Sequence, residues 1–421
     1  MILITLLNLS LASAHAATDG RTLEECFQAA MRRSELIGTQ VELIQQAEER
    51  YKQAKASIYP TINGVASYLV QAAPAATAAA QAPGEQTTAK ITGVQPIFHG
   101  MKEYAGILQQ NLLVTAAMSN KVQALATLYS DTATNFYSIL TLEQDMRDVT
   151  NEINIDSKRI TDLNARIRIG RSRITEVLAI RSAVDTLVAT NDATRGQLLA
   201  LREAFAFLTG FDRNMPVLET ETLTLPAPAP VDTYLQTIEE RPDVKAARDS
   251  LYAVEKNVTI ARAAHFPQVD LTGDYWFKRP GISANQQWDA MITGTIPIFA
   301  GGLVNAQVRE ASSQERASEL NLARVRRLAD QEIRSDYDNF TADLNQVTSL
   351  TRATQSALEN YQAQSSDYKL GLVTNLDVLT AITSSQESQR ALDKARYQSK
   401  LDYLKLQIAT AKRPKQEVSH P

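Results

Sequence analysis

Two hydrophobic periods alternate along this chain, and each occurs twice. The first is helical: Met118, Val122, Leu125, Tyr129, Phe136 and Leu140 step by three, four or seven positions, and Tyr337, Phe340, Leu344 and Val347 do the same in the second half. So narrow a seam, with polar residues and paired charges elsewhere, predicts long helices of coiled-coil type. The second period is two. Val269, Leu271, Gly273, Tyr275 and Phe277 alternate with Gln268, Asp270, Thr272, Asp274 and Trp276, after which Trp288, Ala290, Ile292, Gly294 and Ile296 alternate with polar neighbours and Met291. Two antiparallel strands of about ten residues follow, with the length and the apolar-out, polar-in rhythm of a transmembrane β-strand. Ile62, Gly64, Ala66, Tyr68 and Val70, then Ala89, Ile91 and Gly93, keep the same parity in the first half; the Ala/Pro/Gln-rich stretch between them, Gln71 to Thr87, reads as an exposed excursion. A soluble hairpin packed on a helix also needs one apolar face, so the period alone leaves both readings open.

The two halves are copies of one another. Lys55-Ala56-Ser57-Ile58-Tyr59-Pro60 returns as Arg262-Ala263-Ala264-His265-Phe266-Pro267, and Gly93-Val94-Gln95-Pro96-Ile97-Phe98 as Gly294-Thr295-Ile296-Pro297-Ile298-Phe299. Ile169-Gly170 followed by Glu176-Val177-Leu178 matches Leu370-Gly371 followed by Asp377-Val378-Leu379. Gly93 to Gly170 and Gly294 to Gly371 each span 77 positions, and a spacing kept without insertion indicates a rigid element. Almost free of Pro and Gly, that element reads as a helix of ~108 Å at 1.5 Å per residue.

The expected organisation is an export signal over 1–17, a first repeat over 18–214, a linker over 215–230, a second repeat over 231–411 and a tail over 412–421. The first repeat contains a helix, a β-hairpin at 60–98, a long helix at 99–169 and a return helix at 174–209. In the second, a helix precedes a hairpin at 267–299, a long helix at 302–370 and a return helix at 375–411. The half-length helices, Thr22 to Tyr59 and Val231 to Ala264 among them, stack end to end as antiparallel partners of the long ones. The export signal rests on the apolar run from Ile2 to Leu11 and on Ala14-His15-Ala16 ahead of polar Thr18-Asp19-Gly20.

Prolines at the strand-to-helix junctions (Pro60, Pro96, Pro267, Pro297), beside Tyr59, Phe98, Phe266 and Phe299, resemble helix breaks at an interfacial aromatic belt. Tyr68, Tyr275, Trp276 and Trp288 are candidates for the opposite belt. Four strands cannot close a membrane barrel, and an open sheet edge in lipid leaves backbone groups unpaired at several kcal/mol each. Oligomerisation is therefore required: two copies give eight strands with a filled interior, and three give twelve, wide enough for water.

Composition narrows the functional classes. Against 43 Lys and Arg stand 47 Asp and Glu, a balance that argues against a nucleic-acid partner. A single cysteine, Cys26, and four scattered histidines offer no metal-ligand spacing, no cofactor motif is present, and no nucleophile, base and orienting group sit at recognisable spacing, so neither metal, cofactor nor enzyme is expected. Only 16 Gly and 14 Pro in 421 residues agree with few turns and long helices.

Taken together, the tandem repeat, the hairpins ending in Pro-Ile-Phe, the Arg241-Pro242-Asp243-Val244 entry to the second half and the run Gly371-Leu372-Val373-Thr374-Asn375-Leu376-Asp377-Val378-Leu379 resemble the TolC-like outer-membrane efflux and secretion channels. The resemblance implies a fold of long helical hairpins forming a periplasmic α-barrel, with four strands per chain contributing to a trimeric twelve-stranded β-barrel in outer-membrane lipid. It implies a homotrimer docked to a periplasmic adaptor and an inner-membrane pump or ABC transporter. It also implies a periplasmic gate: Asp377 matches the first position of an acidic ring and Thr380 replaces the second, Tyr368 matches a linking tyrosine and Glu176 its acidic partner, and Val373 stands where an arginine link is expected. Gly170, Arg171, Gly371 and Leu372 fall where the adaptor's hairpin would touch.

Each feature has a plainer reading. Asp377 serves the start of a helix, Gly170 and Gly371 permit a positive φ, and Arg166, Arg168, Arg171 and Arg173 at the first tip form a solvated or adaptor-binding face, with a part in closing as the alternative. For the molecule as a whole the alternative is a soluble periplasmic coiled-coil adaptor or scaffold.

Overall fold

The computed structural model describes residues 20–72, 84–219, 225–281 and 283–412. The expected export signal, most of the Ala/Pro/Gln-rich excursion, residues 220–224 of the linker and the tail beyond Lys412 lie outside the described residues. The described residues are mainly helical, with a four-stranded antiparallel sheet. In chain order the elements are α1 (Leu23–Arg33), α2 (Glu35–Ala56), β1 (Thr61–Val70), β2 (Glu85–Phe98), α3 (Lys102–Arg168), α4 (Ile174–Thr209), α5 (Val231–Leu235), a 3-10 turn at Ile238–Glu240, α6 (Pro242–Ala263), β3 (Gln268–Lys278), β4 (Trp288–Thr295), α7 (Leu303–Leu370) and α8 (Asn375–Ala409). They fall into two compact units.

One unit comprises residues up to Ile37, Ala124–Thr237 and Asp330 onward. Its entry is a capping box: the Thr22 hydroxyl accepts from the Glu25 N–H, and the Glu25 carboxylate accepts from the Thr22 N–H. Helix α1 so started buries Cys26, Phe27 and Ala30 completely. Phe27 meets Tyr129 of α3 edge to face at 5.0 Å between centroids, while Cys26 joins Phe136, Ile139 and Leu140 of α3, Leu198 and Phe205 of α4, and Leu401 and Leu404 of α8. Burial pushes the Cys26 thiol up to about 12, so it behaves as a small apolar side chain. The predicted seam is thus a core from Leu125 onward, whereas Met118 and Val122 are exposed.

The expected single helix from Thr22 to Tyr59 is broken. Ser34 leaves the helical region (φ −64°, ψ 111°), and its hydroxyl accepts from the Ile37 N–H as α2 begins. A serine before a helical run is a start signal that a helix drawn from Thr22 to Tyr59 passes over.

The other unit comprises Gly38–Gln123 and Ile238–Ala329 and contains the sheet. Its strand order is β1-β2-β3-β4, so β1 and β4 are both free edges. Register puts Gly64 opposite Ile91, Ile91 opposite Tyr275, and Tyr275 opposite Trp288 on one exposed face, with Tyr68 and Phe277 on the same parity. The other face carries Lys90, Asp274, Trp276 and Asp289. Tyr68, Tyr275 and Trp288 therefore fit the expected second belt, and Trp276 does not: strand parity turns it to the polar face.

At the sheet-to-helix junction Gly100 takes φ +66°, and a Cβ there would stand 2.8 Å from the Ala263 carbonyl oxygen. The Arg241-Pro242-Asp243-Val244 motif is likewise local architecture. Arg241, 5% exposed, clamps Asp243 through Nε at 3.0 Å and Nη2 at 2.9 Å, Pro242 occupies the first turn of α6, and Val244 is wholly buried with Leu251, Leu322 and Ala329.

Candidate functional site

The predicted gate residues lie where α3 turns into α4 and α7 into α8, all in the first unit. Gly170 (φ +71°) and Gly371 (φ +78°) close the long helices in the same way. Arg171 N–H donates to the Arg166 carbonyl at 2.9 Å and Leu372 N–H to the Asp367 carbonyl at 3.0 Å, which are the wrap-around bonds of a left-handed helix cap. A Cβ placed on either glycine would meet nothing within 4 Å beyond the adjoining chain, and Ile169, Leu370 and Leu372 beside them are about two-thirds exposed or more.

Asp377 is an exposed member of a second capping box. The Thr374 backbone N–H and hydroxyl donate to its Oδ2 at 2.8 and 2.6 Å, and these bonds hold the carboxyl below its ordinary range. The plain helix-start reading of Asp377 is therefore what a single chain shows. Thr380 turns its hydroxyl back onto the Leu376 carbonyl at 2.9 Å, Val373 is half-buried, and Glu176 accepts from the Ser172 hydroxyl at 2.8 Å. Arg168, Arg171 and Arg173 are exposed.

Tyr368 is the residue that draws the elements together, and it does so through its ring. Its side chain packs on Leu163, Val177 and Ile180, with the Arg159 and Arg166 guanidinium carbons 5.3 and 4.8 Å from the ring centroid. Arg159 also donates twice, from Nε at 2.9 Å and Nη2 at 2.7 Å, to the Oδ1 of Asn375, which is 4% exposed at the start of α8. Burial lowers the Arg159 pKa from its ordinary value, with Tyr368 the leading opposing influence. The basic first tip thus reaches the second tip through Arg166, and Arg159 adds a link from α3 to α8 that the sequence did not single out.

Above this lies a second group without a sequence-derived role. Asp145, Asp148, Glu152 and Asp156 follow one face of α3 at helical spacing. Arg390 of α8 donates to Asp145 at 2.7 Å, Glu152 and Asp156 are 4% and 2% exposed, and burial, helped by Asp156, pushes Glu152 up to about 7 against the pull of Arg390.

Residues 233–412 match the family described as outer membrane efflux protein. The outer membrane protein TolC of Escherichia coli K12 is 25% identical over 340 residues, covering 77% of this chain and 69% of that protein. The chain is similar to the TolC-like outer-membrane efflux channels. A cation efflux system protein, CusC of E. coli O6:H1, is 23% identical over 385 residues, 87% of this chain and 80% of that one. In fold, the outer membrane protein VceC of Vibrio cholerae superposes with a TM-score of 0.81 at 20% identity, over 92% of this chain and 95% of that one. Helical hairpins carrying a four-stranded sheet are thus a fold shared with solved outer-membrane channels.

Proposed function

We propose that three copies complete one duct: twelve strands close a barrel across the outer membrane, and the helical part leads cargo to it from a periplasmic adaptor and an inner-membrane pump or ABC transporter. The observation that carries this is the sheet itself. Its two free edges, β1 and β4, flank an exposed apolar face, an arrangement that lipid tolerates only when neighbouring chains pair those edges. Chemistry is left to the pump; the duct contributes a water-filled path and a gate.

In that assembly the helical tips are the gate. Arg159 with Asn375, and Arg159 and Arg166 with Tyr368, hold each chain's return helix inward, and Asp377 adds one carboxylate per copy at the entrance while still capping α8. The exposed turns at Gly170, Arg171, Gly371 and Leu372, with the Arg168 and Arg173 charges beside them, receive the adaptor. Conductance of the purified protein in planar bilayers tests this reading. Small cation-selective steps that are blocked by multivalent cations from the tip side, with block lost in Asp377→Ala, are expected; an absence of any conductance would contradict it.

A further inference from the structure

Among the described residues the polar face of the sheet holds one large aromatic side chain, Trp276, and its surroundings are built. Trp276 donates from Nε1 to Asp289 Oδ2 at 2.9 Å, the Lys90 ammonium lies 4.7 Å from its ring centroid and the Arg279 guanidinium 4.6 Å. Lys90 pairs with Asp274 at 2.8 Å and Arg279 with Asp289 at 2.9 Å. Register places Lys90 directly opposite Trp276 and sets Asp274 opposite Asp289. Two carboxylates facing each other across a strand pair repel; the two cations offset that repulsion, and both also hold the indole. The cluster sits toward the hairpin-loop end of the sheet, away from the helices, among the last residues of β3 and the first of β4.

We propose that Trp276, held by Lys90 and Arg279, is the size-selecting constriction at the exit of the duct. This rests on the reading above, which makes the polar face the lumen wall and the loop end the outer mouth. An indole fixed on a water-facing wall is bulkier than Val94, Thr272 and Met291, the row paired across the same face deeper in the sheet. Three symmetry-related copies would stand at one height. Because the two cations and two carboxylates of each cluster cancel, the girdle discriminates by width and is indifferent to the sign of cargo charge.

The test uses the full chain with Thr272→Cys, a position on the same face four residues deeper than Trp276; the one native cysteine, Cys26, is buried. Thiol reagents are added outside intact cells: a small cationic and a small anionic methanethiosulfonate, and a maleimide carried on a bulky polymer. The small reagents are expected to label at similar rates and the polymer slowly. Trp276→Ala, and independently Lys90→Gln with Arg279→Gln, should speed the polymer severalfold and leave the small reagents unchanged. Trp276→Thr, a side chain this face already carries, replaces the alanine variant if that one fails to give the outer-membrane oligomer. Polymer labelling that no variant speeds, or small reagents that differ strongly by charge, would overturn the constriction. If the small reagents label the Thr272→Cys protein in no background, the failure belongs to the channel reading instead.

Discussion

Tyr368 meets its partners through the face of its ring, which separates two substitutions that a hydroxyl-linked tyrosine would not separate. Tyr368→Phe keeps both guanidinium contacts and is expected to leave bilayer leak unchanged, whereas Tyr368→Ala removes them and should raise it. Arg159→Ala should leak as well, because it strands the Asn375 amide in a buried position, a loss of about 1–3 kcal/mol. Glu152 carries a pH effect of defined sign. Its carboxyl titrates at about 7 in the folded chain against an ordinary 4.5, so between these values the folded state keeps a proton that the unfolded state has lost, and stability falls as pH rises through that window. Asp343, pushed up to about 7 by burial and by Asp402, acts in the same direction. The heat-dissociation midpoint of the oligomer should drop between about pH 5 and about pH 8, and drop less in Glu152→Gln, with the two proteins converging at the acidic end. A variant that loses stability at the alkaline end would show that the charged form of Glu152 is the one the fold holds.

Glycines that end elements in similar backbone conformations differ in what surrounds them. Gly371→Ala meets only the cost of a left-handed alanine, about 1–2 kcal/mol, in open space, while Gly100→Ala adds a clash with the Ala263 carbonyl at the junction between the sheet and the helices. Heat-stable oligomer recovered from the outer membrane should therefore fall much further in Gly100→Ala than in Gly371→Ala; equal yields would mean that the junction relaxes. Much at this scale is legible in the sequence. Strand parity, the long helices and the tip glycines follow from period, spacing and backbone permissiveness, all of which are local. The break at Ser34 is passed over because a lone serine fits inside a helix as well as before one, and aromatic identity, weighed above parity, puts Trp276 on the wrong face. Arg159 gives no signal, since its partner Asn375 is 216 positions away and only the packed helices bring them together.

At the scale of the molecule, sequence duplication and an unclosable sheet state the same requirement. Each copy supplies two hairpins, the hairpins pair as β2 with β3, and both outer strands remain open. Eight strands from two copies would leave an interior filled by side chains, which does not suit the proposed duct with the charged face of β3 and β4 turned inward. Three copies give room for water around that face. The direct measurement is the native mass of the protein extracted from the outer membrane in mild detergent and kept unheated: a particle of three chains is predicted, and a single chain, or a particle that needs no detergent to stay in solution, would contradict the account.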